Sequence, residues 1–221
     1  MSYDKIKREE KIKEIFMKEY IAKKVSSRMS IDDARWDSVP EAAVDYVWQD
    51  HSPSPYTTKA QMVHSDEGIT VRLSTNEWPL LVTTMENNGT VCTNSCMEFF
   101  FIPNMDDEDY INVEMNPAAI ALVAKAPGRG NRPRLNIRGE NVDIRSLVLG
   151  ERGWYVMAFI SYEFLLKHYS HCDKTMRANF YKCGNDTVIP HFSAWSEVDT
   201  PAPDYHRPEF FGKVTLSDEQ V

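Results

Sequence analysis

Past Trp36 the chain alternates apolar and polar residues in short runs separated by turn residues: "AAVDYVWQ", "KAQMVHS", "ITVRLSTNE", "PLLVTTME", "CMEFFFIP", "DYINVEMN", "AIALVAKA", "RLNIRGE", "VDIRSLVLG", "GWYVMAFIS", "TMRANFYKCG" and "GKVTLS". Period-two alternation over such lengths predicts strands, and a dozen of them between turn signals predict an all-β fold. The expected architecture is an antiparallel, jelly-roll-like β-sandwich. In "SYEFLLKHYS" the spacing becomes helical, with Ser161 placed to cap a short helix. Residues 4–25 interleave Lys and Glu with Ile12, Ile15, Phe16, Tyr20 and Ile21 at three- and four-residue spacings, the pattern of an amphipathic helix. Two units are therefore expected, a helical extension over 1–30 and the sandwich over 31–221. The extension either docks on the sandwich or pairs with another chain as a homodimer. The proline-rich stretch 185–212 is long for a loop, and its aromatics predict that it is ordered.

Charge and composition narrow the function classes. A formal charge of −8 and a pI near 5.3 argue against a nucleic-acid backbone as partner, since that affinity is built from clustered Lys and Arg. No apolar run reaches the length of about 18 residues that a membrane-spanning helix needs, so no membrane partner is expected. The N-terminal residues lack the apolar centre of an export signal, which makes a cytoplasmic location the expectation for the chain as written. A start further upstream would change that to secreted or periplasmic. Cys92, Cys96, Cys172 and Cys183 have no zinc-type spacing and are expected as reduced thiols.

Three segments carry candidate chemistry. "NSCMEFFFIP" sets Glu98 inside an apolar strand whose two faces both look covered; a buried carboxylate needs a partner or a recess that something polar enters. "YINVEMN" turns Ile111, Val113 and Met115 one way and Tyr110, Asn112, Glu114 and Asn116 the other. Amides and a carboxylate beside an aromatic suit a neutral polyhydroxylated ligand, and they equally suit a solvated sheet face. "PDYHRPEFFG" stiffens the backbone around Tyr205, His206 and Arg207 with Pro203 and Pro208, either to present an aromatic or to close the end of the sandwich.

Taken together, "GTVCTNSCMEFFFIP", "DYINVEMNP" and "PDYHRPEFFGKVTL" resemble the family 9-like carbohydrate-binding module domain, over roughly Trp36 to Leu216. The resemblance implies an antiparallel β-sandwich that binds sugars, especially at reducing ends, between two aromatic side chains with a glutamate among the hydrogen-bonding groups. By motif match the glutamate is Glu98 and one aromatic is Tyr205. The other clamp aromatic falls on Cys92, and an aspartate often found four residues before the glutamate is Asn94 here. Trp78, in "NEWPLL", is a neighbouring aromatic that either replaces the missing wall or packs in the sandwich. The resemblance also implies calcium as a cofactor candidate without placing it.

Other segments give weaker signals. The turn "MDDEDY", with Asp106, Asp107, Glu108 and Asp109, offers oxygen ligands but lacks the spacing of a calcium loop. His168, His171 and Cys172 in "HYSHC" have no second cluster to complete a metal site. Arg129, Arg132, Arg134 and Arg138 in "PGRGNRPRLNIRG" could dock an acidic sugar or a carboxylate-bearing face of the same protein, or form a plain hairpin turn. The leading expectation is non-catalytic binding of a small saccharide or a glucan- or xylan-type chain end, with Glu98, Tyr205, Asn112, Glu114, Asn116, His206, Arg207 and Trp78 as candidate contacts. The alternatives are a glycoside hydrolase acting through Glu98 and Glu114, and an interaction scaffold that has lost the sugar site.

Overall fold

Met97, Phe99 and Phe101 leave one face of their strand, and Cys96, Glu98, Phe100 and Ile102 the other; all seven residues are buried. A strand covered on both faces must lie inside a layered structure, and the computed structural model, which describes residues 18–49, 51–137 and 141–221, shows how. Among the described residues the strands are β1 Glu19–Lys24, β2 Ala42–Ala43, β3 Thr58–His64, β4 Gly68–Thr75, β5 Cys96–Ile102, β6 Tyr110–Met115, β7 Ala121–Ala126, β8 Val142–Val148, β9 Trp154–Ser161, β10 Thr175–Gly184, β11 His191–Ala194 and β12 Gly212–Gln220. One short α-helix, α1, spans Tyr162–Leu165.

The strands run β7-β6-β5-β10-β12 in one layer and β3-β4-β9-β8 in the other, with β11 added to β10 and β2 to β3. Strand β1 joins the layers: Glu19 to Ala22 pair with β12, and Lys23 and Lys24 pair with β3. Both pairings are parallel, so among the described residues the sandwich is antiparallel except at this bridging strand. Phe99, Phe101 and Phe180 from one layer share a core with Met62, Val71 and Ile160 from the other. Phe99 stacks on Phe101 at 4.6 Å and on Phe180 at 5.4 Å between centroids. Burying each such ring contributes roughly 1.5 to 3 kcal/mol relative to exposure.

Several expectations need correction. The segment read as the end of an amphipathic helix is strand β1, because Tyr20 and Ala22 point inward with period two while Ile21 between them is 55% exposed. Residues 18–30 therefore belong to the sandwich, and the 30/31 boundary falls inside it; residues 1–17 of the expected helix lie outside the described residues. "PLLVTTME" is not a strand, because side chains capture its backbone: Asn94 Oδ1 accepts from the Thr83 and Thr84 amides and Ser95 Oγ from the Leu81 amide. "RLNIRGE" contributes a single bridge, Ala124 to Arg134, with residues 138–140 outside the described set. The Ser161 cap is present, its Oγ accepting from the Phe164 amide at 3.0 Å. The stretch 185–212 is ordered as its aromatics predict, holding β11 and the buried Trp195, Tyr205 and Phe211.

Candidate functional site

The register of three strands builds the floor of the site. Glu98 on β5 lies directly opposite Glu114 on β6 and Tyr181 on β10, so all three side chains leave the outer face of that sheet. Segments from elsewhere wall this face. The C-terminal stretch lays Tyr205 flat on Tyr181, centroids 4.1 Å apart and planes 10° apart, and Trp48 backs Tyr205 at 5.7 Å. Between these walls and the basic turn after β7 a recess of about 380 Å³ remains, with Glu98, Glu114, Arg129, Arg132 and His206 on its polar side. Cys92, Cys183, Phe192 and Pro203 form its less polar side.

Electrostatics follow from the burial. Glu98 and Glu114 are 2% and 3% exposed. Burial pushes the Glu98 carboxyl well above the usual carboxylate range, and the facing Glu114 pushes it further. Glu114 is also raised by burial, with Arg132 pulling it back down. Arg132 Nη1 stands 3.6 Å from Glu114 Oε1, and Asn112 Nδ2 donates to that oxygen at 3.0 Å. Burial and the nearby arginines depress His206 to about 3, so its ring is neutral. Arg132 can only donate, and its Nη1 lies 2.8 Å from His206 Nε2 and 3.0 Å from Nδ1, so the neutral ring accepts from it, while Nδ1 also lies 2.6 Å from Tyr110 Oη. Arg129 closes the rim through Asp204 at 2.7 Å. The basic turn thus docks on a carboxylate-bearing face of its own chain.

Of the residues singled out in the sequence, Glu98, Glu114, Tyr205 and His206 line the recess. Tyr205 is not the free stacking platform expected: it is 7% exposed, one ring face lies on Tyr181, and its hydroxyl donates to the Lys182 carbonyl at 2.7 Å. Asn112 is fully buried and holds Glu114. Asn116 is a structural hub, donating to the Thr84 carbonyl and to Asn94 Oδ1 and accepting from the Ala118 and Ile120 amides. Arg207 pairs with Glu209 outside the recess, and Trp78, 41% exposed, lies outside it too. Asn94, in place of the aspartate, organises the Thr83–Thr84 loop through both ends of its amide.

Arg129, Arg132, His51, Asn185 and Phe192 complete the lining without having been selected as contacts. Arg129 and Arg132 were read in the sequence as able to dock on a carboxylate-bearing face, and the Glu98–Glu114 pair is that face, since two buried acids on adjacent strands require a cation from another segment. Among the described residues no three His, Cys, Asp or Glu side chains converge on a metal position. In the acidic turn Asn104 Oδ1 already accepts from the Asp106 and Asp107 amides, while Asp109 turns to Lys125 at 3.5 Å. His168 packs on Phe164, and Cys172 is half-buried in packing.

The sequence matches carbohydrate-binding family 9 over residues 29–216. The chain belongs to that family. Its fold is shared by family 9 modules from Caldicellulosiruptor kristjanssonii solved with cellotriose (16% identity, TM-score 0.62, covering 92% of this chain and 95% of that one) and with glucose (15%, 0.64, 92% and 97%). A Bacteroides uniformis protein, provisionally described as carbohydrate-binding, is similar at 25% identity and TM-score 0.80, covering 91% of this chain and all of the other. No curated protein matches the chain. Family 9 comprises non-catalytic binding modules.

Proposed function

We propose that this family 9 chain binds a small saccharide, or the end of a glucan- or xylan-type chain, in the recess over Glu98 and Glu114, without chemical change to the ligand. The observation that carries the reading is the opposed carboxyl pair at the bottom of a walled recess with Arg132 and a neutral His206 beside it. Such a set donates to and accepts from hydroxyls at once, as a polyol requires. That family 9 modules have been solved with glucose and cellotriose supports the same ligand class.

The test is isothermal titration of the full chain with glucose, cellobiose, xylobiose, galactose and the ring-opened cellobiitol. Binding of a reducing sugar that is lost in Glu98→Ala and Arg132→Ala, both checked for native circular dichroism, supports the reading. Flat titrations at millimolar ligand would sink it and bring the interaction scaffold forward. Because the two carboxyls face each other, aryl glycosides belong in the same panel: turnover abolished by Glu98→Gln would make the chain a hydrolase instead.

A further inference from the structure

Register partners on adjacent antiparallel strands place their Cβ atoms about 4.5–5.5 Å apart, so the carboxyl groups of Glu98 and Glu114 meet on one face. The groups around them can be enumerated from each packed element. From the turn after β7, Arg132 faces Glu114 at 3.6 Å, while Arg129 is held by Asp204 at 2.7 Å and Arg134 lies further along the same turn. From β10, Lys182 points to the opposite face of the sheet and pairs with Glu77 at 3.0 Å, and Cys183 adds a thiol. From β5 the Cys96 thiol lies 3.6 Å from Glu98 Oε1, and Cys92 adds a third from the preceding loop. From the C-terminal stretch His206 is occupied as the acceptor for Arg132, and from the segment between β2 and β3 His51 lines the same recess and packs on Phe192. One guanidinium therefore serves two carboxyls that are almost wholly removed from water.

A second negative charge without a cation is not held in such a place; a proton is. We propose that Glu98 and Glu114 keep one proton between them, and that this acid–carboxylate pair selects a neutral saccharide presenting two adjacent hydroxyls. The Glu98 acid donates to one hydroxyl oxygen, and the Glu114 carboxylate accepts from the next. A uronate would set its own carboxylate against Glu114, and an amino sugar would set its ammonium against Arg132. The inference rests on the saccharide-binding reading for its ligand and on the buried pair alone for its proton.

Two measurements on the full chain separate these parts. In protein labelled with ¹³Cδ-glutamate, a pH titration should show one Glu carboxyl still protonated at neutral pH, moving toward the ordinary range in Glu114→Gln. If every carboxyl is ionised at neutral pH, the shared proton is refuted, whether or not sugar binds. In calorimetry, glucose affinity should fall about tenfold or more as pH rises through the carboxyl titration that the labelled protein locates, and stay flat over the same range in Glu98→Gln, whose amide remains a donor. A flat wild-type profile, or glucosamine or glucuronate binding more tightly than glucose, overturns the selectivity. Absence of heat with every sugar overturns the saccharide reading and the selectivity with it, while the carboxyl titration still decides the proton.

Discussion

Replacing Lys182 by methionine removes a charge that is wholly buried and keeps nearly the same length of side chain. Lys182 Nζ lies 3.0 Å from Glu77 Oε2 and donates to the Cys183 carbonyl at 2.8 Å, and neither side chain has solvent exposure. In Lys182→Met the Glu77 carboxylate keeps Ser95 Oγ at 2.8 Å and Trp154 Nε1 at 3.3 Å, two neutral donors against a full charge. Breaking a buried pair from one side costs about 3 to 5 kcal/mol. For a chain of this size each kcal/mol lowers Tm by about 2 to 4 °C, so a fall of roughly 6 to 20 °C is expected. The double variant Glu77→Gln/Lys182→Met removes both charges and leaves neutral donors with a neutral acceptor, so it should recover most of the loss. His191 adds a signature: its ring, 3.9 Å from Glu77, is held down to about 4 by burial and by Lys182. Without Lys182 its pKa rises, so the deficit of the single variant should shrink toward acid pH. Thermal and urea unfolding at several pH values measure all of this. A loss below about 1 kcal/mol in Lys182→Met, or a double variant no better than the single, would refute the reasoning.

Three further outcomes are expected. Glu98 holds its proton above the range in which an unfolded glutamate releases it, near 4.5, so native-state stability should fall as pH rises through that range and up to the native pKa; urea midpoints should show this slope in the wild type and a shallower one in Glu98→Gln, and equal slopes would count against a raised carboxyl. Asn94→Ala orphans the Thr83 and Thr84 amides and should cost about 2 to 4 kcal/mol, read as a fall in Tm, whereas a change below about 0.5 kcal/mol would mean water takes over both bonds. Cys92→Trp supplies the missing aromatic wall; covering about 50–100 Å² of sugar surface is worth roughly 1 to 3 kcal/mol, so titration should show about ten- to hundredfold tighter saccharide binding, and unchanged affinity would place the ligand away from Cys92.

Local patterns announced most of the strands because their alternation is strict, and they announced Glu98 because a carboxylate in "CMEFFFIP" contradicts its surroundings. Where the sequence misled, the deciding partner was distant. Tyr205 looks presented by its prolines, yet its ring face belongs to Tyr181, 24 residues earlier. Asn116 alternates with Glu114 and so looked like part of the same set, but the turn that follows takes its amide for the Ala118 and Ile120 backbone. The Tyr20–Ile21 segment satisfied helical spacing, and only pairing with β12 and β3 makes its period two. Arg132 reaches Glu114 from a glycine-rich turn whose basic character suggested a carboxylate-bearing face as its target, but no local rule names which carboxylate.

These displacements bear on how such a site can bind. On the proposed reading, the position that the resemblance gives to one aromatic wall holds a thiol, Cys92, and the other ring, Tyr205, has given a face to Tyr181, so stacking can supply little of the affinity. What remains is polar and fixed. Strand β10 sets Tyr181 beneath Tyr205, which lines the recess, and sends Lys182 to the buried pair with Glu77, so the wall is tied to the interior by adjacent residues. Glu114 is held by Asn112 and Arg132, and Arg132 by His206, which Tyr110 orients. Groups held this way need little reordering when a ligand arrives, and when a hydroxyl is missing they are left buried without a partner. A hydrogen-bonding site of this kind rejects an analogue lacking one hydroxyl far more strongly than an apolar pocket rejects one methylene. On the proposed reading, therefore, the loss of the clamp shifts the site from affinity toward discrimination: modest binding of any sugar, and large differences between sugars that differ only in the hydroxyls facing Glu98 and Glu114.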